Sequence, residues 1–127
     1  MTVLYILIAL LIVYVGLVRW RMAQPRKFVY NSWMAWWLIR LCKGMVCTTL
    51  WHTAYEYKPE GTPGWTLLPA GKVHERTHMD QWDRHPYLFP VLYACAMIRD
   101  GYKCNRYEIA ARKAAGEPLE CPDQTAA

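Results

Sequence analysis

At 127 residues with a net charge of +5, the chain has room for one small globular domain plus a membrane segment, and no more. Much of the positive excess lies in one cluster, Arg19 to Lys27, and no aromatic-plus-basic nucleic-acid module accompanies it. Anionic lipid therefore explains the charge better than nucleic acid does. The five cysteines form no Cys-x-x-Cys pair, which argues against a structural zinc knuckle.

Met1 to Val18 carries no charged side chain. At 1.5 Å per residue the stretch spans about 27 Å, close to the roughly 30 Å of a bilayer core. A helix apolar on every face would need a larger protein to hide in. The positive n-region and small-residue cleavage site of a signal peptide are both missing. The reading is an uncleaved single-pass anchor over 1–20. Arg19, Arg21, Arg26 and Lys27 follow it, and by the positive-inside rule they place the C-terminal domain in the cytoplasm. Cysteines on that side would stay reduced, with Cys95 as core packing.

Residues 21–47 are basic and then rich in tryptophan. Met34, Trp37, Leu38, Leu41 and Met45 recur at helical spacing, with Trp36, Arg40 and Lys43 opposite. Charges near the middle argue against a second span. Two readings stay open: a helix lying in the membrane interface, or the first helix of the soluble domain. From Thr48 to Tyr57 the pattern alternates, with Trp51, Thr53, Tyr55 and Tyr57 on one face. Glu60 to Gly64 is a turn signal and Trp65 to Leu68 an apolar run, which together predict a β-hairpin leading into the next helix. Such an edge strand suits pairing with a substrate backbone.

That next helix, from near Lys72 to Arg84, holds the most informative residues in the chain: His74-Glu75-Arg76-Thr77-His78. Positions four apart share a helical face, so His74 and His78 can grip one metal ion, with Glu75 placed to take a proton from metal-bound water. Asp80 and Asp83 fall on the wet face. Beyond Pro86, Tyr87 to Asp100 predicts a buried helix ended by Gly101. Asn105 then opens a short helix through Ala115, and 117–127 reads as a frayed tail.

Catalytic zinc takes three protein ligands and leaves the fourth position to water. A glycine three residues past the second histidine and a histidine six past it would complete one known pattern, but Gln81 and Arg84 stand there. His85 is one residue late, although it shares the helical face. Glu108 on the later helix is the favoured third ligand, with His85 the alternative. Asn105 and Glu108 also have capping-box spacing.

From about Val73 to Gly116, roughly a third of the chain, the sequence resembles small zinc metallopeptidase domains of the gluzincin type, found in phage and bacterial toxin-associated proteins. The resemblance is carried by His74-Glu75-Arg76-Thr77-His78-Met79-Asp80-Gln81, by Gly101-Tyr102 and by Asn105-Arg106-Tyr107-Glu108-Ile109-Ala110-Ala111. It implies a zincin-like metallopeptidase domain over 48–116, in a mainly α chain with a small β-hairpin behind a transmembrane helix. It further implies Zn2+ as cofactor, a peptide or protein substrate, and Glu75 as general base. Tyr102, Tyr107 and Arg112 are candidate oxyanion donors and Gln81 a candidate to orient a ligand. The alternative is a non-catalytic membrane or virion assembly protein with a vestigial or structural metal site.

Overall fold

The computed structural model describes residues 1–30, 32–41, 47–57 and 69–122. It is mainly helical with one small sheet. In chain order the elements are α1 (Thr2–Met22), β1 (Lys27–Val29), α2 (Trp33–Leu41), β2 (Cys47–Leu50), β3 (Thr53–Glu56), α3 (Pro69–Arg84), α4 (Phe89–Cys104) and α5 (Arg106–Ala115).

α1 is long and apolar enough to cross a membrane, and only 6% of its most apolar window is buried against the rest of the chain. Its last turns do pack. Val18 is fully buried, the Tyr14 hydroxyl donates to the Tyr87 carbonyl at 2.7 Å, and the Arg21 guanidinium lies over Trp51. The domain is therefore seated on the C-terminal third of α1.

The sheet departs from the sequence expectation. Its order is β1-β3-β2, with β1 parallel and β2 antiparallel to β3. The stretch predicted as one alternating strand is two, turning at Trp51 and His52 between the paired residues Leu50 and Thr53. Trp51 takes the positive φ that the tight turn needs, an uncommon choice for a bulky residue. Stacking of its ring on Trp82, at 5.2 Å, holds it there. The turn predicted at Glu60 to Gly64 and the run at Trp65 to Leu68 lie outside the described residues. β1 falls in the basic and tryptophan-rich segment, where no strand was expected. Trp37 of the apolar stripe is exposed, while Ala35 is buried. Met45 lies outside the described residues.

α3 has the predicted end at Arg84 and starts three residues earlier than expected. Its wet face is not idle. Arg26 reaches Asp80 at 2.6 Å and also pairs with Asp83, which accepts from His52 at 2.8 Å. These contacts tie the segment after α1 and the hairpin turn to one side of α3. On the other side Trp82, Phe89, Tyr93 and Tyr107 form a chain of ring contacts, with centroids 5.1 to 6.2 Å apart, that joins α3, α4 and α5.

Three further expectations are corrected. α4 is not a buried helix: Phe89 and Ala96 turn inward, while Leu88, Val91 and Ile98 are exposed and Cys95 is exposed rather than core. Apolar composition says that a helix avoids water but not which neighbour covers it. Gly101, with φ +73, kinks α4 instead of ending it, and one more turn leads to Asn105. The tail is pinned as far as Pro122, because Cys121 forms a disulfide with Cys104. Cysteines expected to stay reduced are thus bridged, the state typical of an oxidising compartment. Closing a loop of 17 residues contributes about 3 kcal/mol through the unfolded chain. Cys121→Ser is expected to lose about that much in detergent unfolding, with an unchanged midpoint as the contrary result.

Candidate metal centre

Helical periodicity sets His74, His78 and Gln81 of α3 on one face, with Glu75 one step round. α5 lies along that face. Its start is fixed by Asn105, fully buried, whose side chain accepts from the Tyr107 N–H at 3.0 Å and donates to the Tyr93 carbonyl at 3.4 Å. This cap leaves Glu108 in the first turn, aimed at α3 and free of the reciprocal bond a capping box would demand. The structure thus brings His74, His78 and Glu108 together. One potential ligand atom from each lies within 4.8 Å of the others.

The protonation pattern follows from the neighbours. The Gln81 amide nitrogen donates to the Tyr107 carbonyl at 3.0 Å, which turns Gln81 Oε1 towards His78 Nδ1 at 2.8 Å. An amide oxygen only accepts, so His78 carries a proton on Nδ1 and, as a neutral ring, offers Nε2 as a ligand atom. His74 is arranged alike, with Nδ1 2.9 Å from the Glu117 carboxylate. The two Nε2 atoms face each other at 3.1 Å. The Glu108 carboxylate approaches them at 3.4 and 3.3 Å.

Two imidazole nitrogens and the two oxygens of one carboxylate, Oε2 against His74 and Oε1 against His78, are a conflict that only a proton or a cation resolves. The spacing admits either. Ligand atoms about 2.0–2.1 Å from a tetrahedral ion stand about 3.3–3.4 Å apart. Glu108 Oε2 is also fully buried and accepts no hydrogen bond among the described residues. The proton alternative shows in the titration. Burial opposes an imidazolium at His74, but Glu108, Glu75 and Glu117 outweigh it and raise its pKa. Burial likewise opposes a carboxylate at Glu108, yet the neighbouring His74 and His78 imidazoles and the Tyr93 hydroxyl hold it well below the usual range.

The site opens into a cavity of about 420 Å³. Glu75, 7% exposed, lies in its wall and accepts from the Thr49 hydroxyl at 2.5 Å. All four residues of β2 line the cavity as well. Among them, the Cys47 thiol is pushed up by burial and then by Glu75, so it stays a thiol. Of the candidate oxyanion donors, Tyr102 lines the cavity, and burial followed by Glu108 pushes it up to about 12. Tyr107 and Arg112 do not line it. The Tyr107 hydroxyl accepts from Arg106, and Arg112 pairs with Glu120 at 3.0 Å. His85 is exposed at the end of α3, outside the cluster.

Three participants escaped the sequence reading. The Tyr93 hydroxyl donates to Glu108 Oε1 at 2.6 Å. The available signal was that a tyrosine in an apolar run needs a partner for its hydroxyl. Thr49 and Glu117 gave no local signal, since both act through contacts distant in sequence. No protein family, curated protein or solved structure matches this chain.

Groups that hold a ligating histidine through its other nitrogen typically tune metal affinity by 10–100-fold. Gln81→Leu and Glu117→Gln are each expected to weaken zinc binding by about tenfold in a chelator competition, and unchanged affinity would contradict the arrangement. A raised His74 pKa means the metal-free site keeps its proton to higher pH than a free imidazole. Metal must displace that proton, so apparent affinity should fall with falling pH, beginning above the ordinary histidine value of about 6.5. Calorimetry in two buffers of different ionisation enthalpy should register proton release on zinc uptake near neutral pH. No release would contradict it.

Proposed function

We propose that the chain is a membrane-anchored, zinc-dependent peptidase with a minimal zincin-like helical domain. The observation that carries this reading is the convergence of the two imidazole Nε2 atoms and the Glu108 carboxylate, beside Glu75, on the wall of an open cavity. Two imidazoles and a carboxylate with room for a further ligand are the donor set of catalytic zinc sites. When bound, such an ion lowers the pKa of water towards about 7 and polarises a carbonyl.

Everything else falls to the chain. Glu75, steered by Thr49, takes a proton from the attacking water and delivers it to the leaving amine. One water is consumed, the C–N bond breaks, a C–O bond forms, and the products are a carboxylate and an amine. Tyr102 keeps its proton at neutral pH and faces the cavity, so it is the candidate donor to the developing oxyanion. Tyr93 is committed to Glu108 and orients that carboxylate instead. β2 is the edge strand of the sheet on the cavity side, where an extended peptide can add as a further strand. Trp51, Trp82 and Phe89 form apolar walls for its side chains.

On topology, the basic cluster favours a cytoplasmic domain and the Cys104–Cys121 disulfide an oxidising compartment. Thiol alkylation in intact cells, before and after reduction, separates the two. On function, Glu75→Gln is expected to keep its zinc and lose peptide hydrolysis by at least about a hundredfold, whereas His78→Ala should lose both. A Glu75→Gln protein as active as the wild type, or a zinc-loaded wild type that cleaves nothing, would return the chain to the assembly-protein alternative.

A further inference from the structure

One wall of the cavity comes from an unexpected place. Tyr14 belongs to α1, yet it lines the same cavity as His74, Glu75 and Glu108. It lies five residues before Arg19, the first charged side chain of the sequence, and so about 7.5 Å deeper along the helix axis. With Arg19 and Trp20 at headgroup depth, Tyr14 stands at the edge of the acyl chains.

A second observation comes from α4. Leu88, Val91, Cys95 and Ile98 follow one another at intervals of three and four residues, which puts them on one helical face, and all four are exposed. No charged side chain occurs from Pro86 to Ile98. An uninterrupted apolar stripe of this kind on a small domain marks an interaction surface. The stripe begins at Leu88, next to the Tyr87 carbonyl that α1 holds through Tyr14. The lipid-facing length of α1 and the bare face of α4 therefore meet at one point, at the rim of the cavity.

We propose that α4 rests in the same bilayer as α1, with Leu88 and Val91 in the acyl edge, and that the cleft takes the juxtamembrane segment of another membrane-anchored polypeptide. The substrate class rests on the peptidase reading, whereas the placement of α4 does not. A chain segment in lipid must have its backbone hydrogen bonds satisfied. An extended segment entering beside β2 meets that demand at the membrane surface and nowhere deeper. The apolar lining by Tyr14, Trp51 and Phe89 then receives the apolar side chains that flank a transmembrane helix.

The placement is tested on the full-length protein carrying Leu88→Cys with Cys42→Ser, Cys47→Ser and Cys95→Ser, labelled at position 88 with an environment-sensitive nitrobenzoxadiazole dye. The carrier is a phosphatidylcholine–phosphatidylglycerol vesicle with or without brominated acyl chains. A blue-shifted emission quenched by the brominated lipid is the expected result. Water-like emission overturns the placement, and so does a blue shift without quenching, which would mean that protein, such as a second copy of the chain, covers the stripe. The substrate class is tested with Val91→Glu against two substrates, a vesicle-embedded single-span polypeptide and a soluble peptide of the same juxtamembrane sequence. A charge on a lipid-facing position is costly, so the embedded substrate should be cleaved about tenfold more slowly, with the soluble peptide and the zinc content unaffected. Equal effects on both substrates, or none on either, overturn the proposal. Failure of the wild type to cleave either one sinks the peptidase reading and the substrate class with it, while the dye still decides where α4 lies.

Discussion

Two imidazole nitrogens and a carboxylate cannot face one another in a protein interior without a proton or a cation between them. The repulsion among His74 Nε2, His78 Nε2 and Glu108 has to be balanced by a positive charge held between them. Gln81 and Glu117 can each accept the Nδ1 proton, which leaves Nε2 as the ligand atom of a neutral imidazole. Tyr93 donates to one oxygen of Glu108, while the other accepts no hydrogen bond among the described residues and faces His74 Nε2 at 3.4 Å. The surroundings can thus hold a cation, or a shared proton in its place.

The rest of the domain reads as the means of holding that conflict in place. α3 and α5 must stay in register for the three groups to meet. Asn105 sets where α5 begins and Gly116, in the left-handed conformation, sets where it stops. The Cys104–Cys121 bridge brackets α5 from both sides and carries Glu117 back to His74. Ring contacts from Trp82 to Tyr107 fill the space behind the site, while Arg26 with Asp80 and Asp83 locks the far face of α3 to the segment leaving α1. The centre is consequently built at a fixed height above the apolar end of α1.

What could be read from the sequence was local. His74 and His78 share a face because of helical geometry alone, Asn105 caps because of its own side chain, and α1 declares itself by an unbroken apolar run. Glu108 could be paired with the motif only through the known ligand pattern that completes such a site from a later helix, because α4 separates α3 from α5 in sequence. The features that escaped are those fixed by distant parts of the chain. The parallel pairing of β1 with β3 joins residues far apart in sequence. The hairpin turn at Trp51 and His52 contains none of the residues that usually announce one, since a stacking contact holds Trp51 in its unusual conformation. α4 looked like core because leucine and valine do not reveal whether protein or lipid lies against them. The tail looked frayed because a disulfide partner is invisible until the fold brings it close.

Metal analysis combined with X-ray absorption on the detergent-purified, full-length protein tests the central claim most directly. About one zinc per chain is expected, bound by nitrogen and oxygen at about 2.0–2.1 Å with the outer-shell scattering of two imidazoles and no sulfur. In Glu108→Gln the zinc should be lost or bound far more weakly. A protein that purifies and refolds without metal, or one whose zinc is held through sulfur and survives the Glu108 substitution, would contradict it.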